Sequence, residues 1–416
     1  MAKKNYKIHI IGAGVSGLLA AQILENYGYS PVIIEATDRV GGRVKTDIVN
    51  GYQLDHGFQV LLTGYPAVKN YLDCEALELQ EFLPGASIFK SIDQKIIGDP
   101  LRSFSLLLPT LTSGIGSFSD KLKIFKLNQK LKKKTLSAIF SEPETTTLEY
   151  LTNFGFSKPL ISDFFKPFFS GIFLETQLET SSRMFEFVYK MFGESNAAIP
   201  KAGIEAIPRQ LLSKLKSSTV MYNSKVASLR DGEIVLENGT QIESDYTIVA
   251  SEATDLISNL KNQSTDWKSC KTLYFETDLR VIKKRLIGLI PKSDSLINNI
   301  FYNSSLKSNH DSQNELLSVT VINDKGLSDA ELIEAVKREL NTLCGITKAS
   351  FIKLYSIPKA LPKLSNLKYE MMPSETRLTE RLFLAGDTQL NASLNAAMIS
   401  GERAALGVIE SISSSL

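Results

Sequence analysis

From Lys7 to Ile11 the chain carries a β-branched, mostly apolar run that stops at a glycine, a pattern that predicts a short buried strand. Gly12-Ala13-Gly14-Val15-Ser16-Gly17 follows, and then Leu18-Leu19-Ala20-Ala21-Gln22-Ile23-Leu24, whose helix formers and apolar stripe predict a helix ending near Gly28. A second apolar run, Ser30 to Ile34, predicts another strand and ends in Glu35. Near the C-terminus, Leu382-Phe383-Leu384-Ala385-Gly386-Asp387 predicts a strand running into a turn, and Ser393 to Ala405 predicts a helix. Between these ends, Val226 to Leu229 has the pattern of an edge strand. Turn signals follow at Asp231-Gly232 and Asn238-Gly239, and Asp245 to Ala250 has the pattern of a buried returning strand.

The order strand, glycine turn, helix, strand, acid is that of a dinucleotide-binding unit. Gly12 permits the tight turn, Gly14 lets backbone approach a pyrophosphate, and Gly17 lets the helix pack close to the sheet. Ala13, Val15 and Ser16 belong to the same loop and helix start, whose free N–H groups and positive dipole end suit phosphate. Glu35, with Ala36 behind it, stands where a carboxylate accepts from ribose hydroxyls. This fingerprint serves NAD and FAD alike.

The next residues favour the flavin. Arg39-Val40-Gly41-Gly42-Arg43-Val44-Lys45-Thr46 resembles the RxGGRxxT/S segment of the flavin amine oxidase, phytoene desaturase and protoporphyrinogen oxidase superfamily. The resemblance continues at Asp55 to Val60, at Gly203 to Pro208 and in the closing segment from Phe383 to Ala405. It implies FAD, and because no Cys follows Cys344 where a flavin-linking Cys would stand, the FAD is expected to be held noncovalently. It also implies roles for residues: Arg39, Gly42 and Arg43 at the pyrophosphate and ribityl chain, and Phe58, Gln59 and Val60 beside the isoalloxazine ring. Val226 would meet the adenine, Gly386 and Asp387 the ribityl chain, and Leu394 and Asn395 the pyrimidine edge. An ordinary sheet position fits Val226 equally well.

The fold class expected is α/β and α+β: a Rossmann-like FAD domain, from 1–84, 200–262 and 378–416, interleaved with a substrate domain of mixed sheet and helices, from 85–199 and 263–377. The first insert is unusual, because 14 of the 21 Phe lie between Leu101 and Pro200. They include Phe164, Phe165, Phe168, Phe169, Phe173, Phe185 and Phe187, and they fit either a core or the wall of an apolar tunnel. In residues 119–140, Lys121, Lys123, Lys126, Lys130, Lys132, Lys133 and Lys134 interleave with Leu122, Phe125, Leu127, Leu131 and Ile139. That spacing fits a helix lying on an anionic membrane surface, and it fits a solvated helix face as well.

Composition narrows the function. With 416 residues, 43% hydrophobic and 22% charged, the chain is long enough for two to three folded domains at roughly 150 residues each. Lys+Arg 47 against Asp+Glu 45 gives no case for nucleic acid. Three scattered Cys fit a reducing compartment, and three His without metal spacing leave no zinc-hydrolase pattern. No metal site is expected. The few residues ahead of the first strand and the lack of a long apolar run predict a cytoplasmic protein, or one peripheral on the inner face of a membrane.

The chemistry expected is dehydrogenation of an apolar, isoprenoid- or tetrapyrrole-like substrate by hydride transfer to flavin. A polyene isomerase, an amine oxidase and a non-redox carrier of prenyl groups are the alternatives. Lys271, opening Lys271-Thr272-Leu273-Tyr274-Phe275, resembles the lysine that amine oxidases hold near the flavin, but its place equally fits a surface lysine at a strand edge; His56 is a candidate acid or base, or a hydrogen-bonded structural histidine. Ser393 stands where the resemblance calls for an aromatic wall of an amine cage, which speaks against a simple amine substrate.

Overall fold

Three distant parts of the chain supply one parallel sheet. Its strands run in the order Thr219–Met221, Val32–Ile34, Ile8–Ile11, Tyr246–Val249 and Leu382–Leu384. The inner strands Ile8–Ile11 and Tyr246–Val249 are buried at every position, which is why they are mostly apolar, whereas the edge strand Thr219–Met221 is partly exposed. The computed structural model describes residues 6–90, 92–257, 260, 265–310 and 314–414. The boundary expected at 262/263 lies outside them.

The opening helix, Val15–Asn26, and the closing helix, Leu394–Ser414, pack directly on one another. Small residues make this possible: a Cβ on Gly401 would lie 2.3 Å from the Ser16 carbonyl oxygen, and one on Gly17 would lie 2.0 Å from the Gly12 carbonyl oxygen. Beside the sheet, Val226–Arg230, Glu233–Leu236 and Gln241–Glu243 form an antiparallel meander that turns at Gly232 and Gly239, with φ of +83° and +85°.

A second sheet has seven strands, in the order Ser350–Pro362, Trp267–Thr277, Glu315–Val321, Ile297–Tyr302, Ile287–Leu289, Gly85–Lys90 and Asp93–Gly98. Helix Asp329–Cys344 lays Leu332, Val336, Leu340 and Cys344 onto it. The architecture is therefore α/β joined to α+β, as expected. Among the described residues no helix is long and apolar enough to cross a membrane.

The helical insert packs on the seven-stranded sheet, where Asn298 donates to the Pro167 carbonyl at 3.1 Å. Its aromatic segment is a π-helical turn, Ile161–Phe165, running into helix Lys166–Phe173. The lysine-rich stretch is two helices, Phe118–Lys133 and Leu136–Ser141, and not one amphipathic rod. Its apolar residues divide. Leu127, Leu131 and Ile139 are in the core, whereas Leu122 and Phe125 are exposed. Lys130 and Lys134 reach inward to the buried carboxylate of Glu186, which also accepts from the Tyr150 hydroxyl at 2.7 Å. Lys190 donates to the Leu131 carbonyl at 2.8 Å, so an ammonium holds the C-terminal end of helix Phe118–Lys133.

Candidate active site

A cavity of about 2080 Å³ runs from the glycine loop, along the parallel sheet, into the helical insert. Cavities that hold one drug-sized ligand are on the order of 300–1,000 Å³, so this one has room for a cofactor and a substrate together. Its first half is made mostly of backbone. Gly12, at φ +101°, turns the chain from strand to helix, and a Cβ there would meet the Ala250 carbonyl oxygen at 3.2 Å. Gly14 has an ordinary φ of −71° and caps the opening helix without a side-chain hydrogen bond. A Cβ on Gly14 would find nothing within 4 Å, so it would project into the slot. This is a cradle that any side chain would fill, next to an open helix N-terminus, and it suits a diphosphate.

The second glycine pair folds over the first. Gly41 N–H donates to the Ala13 carbonyl at 2.9 Å, and Gly41 and Gly42 have φ of +119° and +59°. The reversal sends the two arginines to different places. Arg43 lines the cavity, pairs with Asp387 and lies over the Trp267 ring at 5.2 Å. Arg39 turns away to Asp47 at 2.6 Å and Glu205 at 3.6 Å, so it braces the loop from outside and does not reach the cofactor slot.

Glu35 lines the slot at its far end. Its carboxylate accepts from Ala13 N–H at 2.8 Å, Thr37 N–H at 2.9 Å and the Thr37 hydroxyl at 2.8 Å. A carboxylate has about four lone-pair sites, so Glu35 retains one for a ribose hydroxyl. Ala36 and Val226 stand beside it on the wall. At the other end, Gly386 donates its N–H to Ser400 at 2.9 Å and sets Asp387 against Arg43. The slot thus presents an adenosine end, a diphosphate cradle and a charged clasp in the order that FAD requires.

Most of the expected cofactor residues meet in this one slot: Gly12, Gly14, Val15, Ser16, Glu35, Ala36, Gly42, Arg43, Phe58, Gln59, Val60, Val226, Gly386, Asp387 and Leu394 all line it. Three besides Arg39 do not. Ala13 is fully buried and contributes its N–H to Glu35, and Gly17 serves the packing of helix on strand. Asn395, also fully buried, accepts from Ala67 N–H at 3.1 Å, which turns it toward helix Pro66–Tyr71.

Lys271 is misplaced by the resemblance. It pairs with Asp324 at 3.0 Å and Asp329 at 2.8 Å, away from the cavity. Trp267, Lys268 and Cys270 on the same strand line the cavity, across a register irregularity between Lys268 and Cys270; Lys271 follows Cys270 and falls on the other face. Burial lowers the pKa of Lys268, whose ammonium donates to the Phe173 carbonyl at 2.9 Å and the Thr180 hydroxyl at 3.1 Å.

His56 lies on the wall, the only one of the three His to do so among the described residues. Asp47 holds its Nε2 at 2.7 Å, and its ring stacks on Tyr355 at 4.3 Å. Burial opposes the charge on Asp47, but hydrogen bonds from Arg39, His56 and Tyr355 outweigh it and hold the carboxyl at about 2. Nearby Asp55 is fully enclosed. Burial lifts it to about 6, against hydrogen bonds from the Thr46 hydroxyl at 2.6 Å and Ile204 N–H at 3.0 Å.

The second half of the cavity is aromatic and aliphatic. Phe164, Phe168, Phe169 and Phe173 form part of its wall, with Phe58, Phe82 and Phe192. Phe165, Phe185 and Phe187 are core residues with no exposure. Ser393, where an aromatic wall was absent, caps the closing helix by accepting from Ala396 N–H at 3.0 Å.

Comparison with known proteins agrees with this geometry. The family model for flavin-containing amine oxidoreductases matches residues 15–409. An L-amino-acid oxidase of Sistrurus catenatus edwardsii is 24% identical over 315 residues, which span 72% of this chain and 57% of that one. The chain thus spans little more than half the length of the curated relatives it matches. Protoporphyrinogen oxidase 2 of Arabidopsis thaliana, chloroplastic/mitochondrial, is 28% identical over 170 residues, 40% of this chain and 32% of that one. A solved structure of wild-type putrescine oxidase bound to putrescine superimposes with a TM-score of 0.70 at 16% identity, covering 97% of this chain and 99% of that one.

Proposed function

The chain belongs to the family of flavin-containing amine oxidoreductases and takes FAD as its cofactor, and from that premise we propose that it dehydrogenates an apolar substrate held in the aromatic half of the cavity. FAD, when bound, supplies the acceptor for a hydride. The chain's own residues do the rest. The glycine loop and Glu35 fix the nucleotide end, and the Arg43–Asp387 clasp sets how deep the cofactor lies. Phe58, Phe164, Phe168, Phe169 and Phe173 orient the substrate and keep water out. His56, held in one orientation by Asp47, is placed to hold a proton at its other ring nitrogen, Nδ1. The cofactor is held without a covalent link.

The observation that carries this reading is the composition of the wall beyond Arg43. Phe58, Phe82, Phe164, Phe168, Phe169, Phe173 and Phe192 line it, and the position that would close an amine cage is occupied by the helix cap Ser393. Anaerobic mixing of the purified flavoprotein with apolar polyenes and porphyrinogens tests it. Bleaching of the bound flavin by members of that set, and not by putrescine or L-amino acids, is the expected result. Bleaching by amines or amino acids alone would overturn the reading. An isomerase would turn substrate over with no steady consumption of an electron acceptor.

A further inference from the structure

The segment from Leu101 to Lys134 has an outer surface that neither the cofactor slot nor the core uses. Among the described residues sixteen large apolar side chains are exposed, and seven belong to this one segment: Leu101, Phe104, Leu108, Leu111, Phe118, Leu122 and Phe125. Phe104 is 82% exposed and Phe118 is 75% exposed, values that leave these rings almost wholly in water. Contiguous apolar exposure of this kind marks an interaction surface.

On helix Phe118–Lys133 the exposed apolar residues share a face, because Phe118, Leu122 and Phe125 recur at intervals of four and three. Lys121 Nζ donates to the Leu111 carbonyl at 3.3 Å, which ties the first turn of that helix to the end of helix Leu107–Thr112 and brings Leu108 and Leu111 near it. Leu101, Leu111 and Phe125 are exposed and also line the cavity, so the apolar surface lies at the cavity's rim.

Charge identifies the occupant. Between Leu101 and Lys134 there are eight basic residues and one acid, Asp120, and that acid is buried beneath the helix start. Lys130 and Lys134 are engaged by Glu186, but Lys126, Lys132 and Lys133 are exposed and form no ion pair among the described residues. Apolar tips flanked by cations, with no exposed carboxylate among them, complement an anionic lipid leaflet.

We propose that residues 101–133 dock the protein on an anionic bilayer with the mouth of its cavity against the lipid, so that an apolar ligand passes from bilayer to cavity without crossing water. The inference concerns the surface and stands whether or not the substrate proposed above is the right one.

Sedimentation of the flavin-loaded protein with phosphatidylcholine vesicles, with and without phosphatidylglycerol, tests it. The wild type should sediment with phosphatidylglycerol-containing vesicles, and less so as salt rises. The variant Leu108→Ser/Phe118→Ser/Leu122→Ser should partition on the order of tenfold more weakly. Reversing Lys126, Lys132 and Lys133 to Glu should weaken binding by about fivefold or more per site. None of these six side chains lines the cavity, so flavin content and circular dichroism should match the wild type and separate lost docking from lost folding. Failure of the wild type to sediment at low salt would overturn the proposal, as would unchanged binding by the serine variant. So would a dimer that the serine variant dissociates in the absence of vesicle binding, which would make a second copy of the chain the true occupant.

Discussion

The cofactor slot and the helical insert meet in one cavity, yet they are built on different principles. The slot is made of backbone: Gly12, Gly14, Gly41 and Gly42 bring main chain against main chain, and a few charged side chains sit at fixed places along it. The insert is made of interchangeable apolar side chains. Phe165 is core, its neighbour Phe164 is cavity wall, and Phe118 faces out. In the slot each glycine has one job, set by its own backbone geometry. In the insert one residue type has three, and only the packing decides which.

That contrast predicts how the two regions respond to substitution. The largest effects belong to the glycines. Gly17→Val should yield no folded protein, since even a Cβ would lie 2.0 Å from the Gly12 carbonyl oxygen. Gly14→Val should fold but purify without flavin, because its side chain would point into the cradle. Soluble yield and absorbance spectra separate the two, and a yellow Gly14→Val protein would break the account of the slot.

Next come two adjacent phenylalanines. Phe165→Ala should lower stability by about 3–5 kcal/mol in denaturant melts, the cost of emptying a fully buried aromatic site. Phe164→Ala should cost far less stability and change which substrates bleach the flavin. Equal losses would mean that wall and core are not distinct there.

The smallest effect concerns the lysines on strand Trp267–Thr277. Lys271→Ala should leave turnover unchanged and cost less than about 1 kcal/mol, as its two carboxylate partners are largely solvated. Lys268→Ala should alter turnover. A slow Lys271→Ala enzyme with a normal Lys268→Ala counterpart would restore the role that the resemblance implied.

What was legible in the chain follows the same division. The fold and the slot could be read because glycine spacing, strand pattern and a terminal acid are local signals with few alternative uses. Reading failed where a local motif met a reversal of the chain. Arg39 and Arg43 flank the same two glycines, and nothing in their spacing tells which guanidinium enters the slot once Gly41 and Gly42 turn the backbone over. Lys271 failed for a related reason, since a motif match does not say which face of a strand it occupies. Continuous charges make the lysine-rich stretch look like one helix. The break falls at Lys134, where Thr135 caps the second helix by accepting from Ala138 N–H at 3.2 Å and Lys134 reaches inward to Glu186. The pKa of Asp55 near 6 likewise comes from burial that only the folded chain creates, and the hydrogen bonds from Thr46 and the Ile204 amide offset it only in part.

The clasp between Arg43 and Asp387 joins residues 344 positions apart, and the parallel sheet beneath it is completed by Leu382–Leu384. A ribosome must therefore have synthesised the chain through Asp387 before the nucleotide has a complete site to bind. Flavin capture becomes a late event in biogenesis, and a nascent chain stalled short of Leu382–Leu384 would leave the edge of Tyr246–Val249 unpaired and in the care of chaperones.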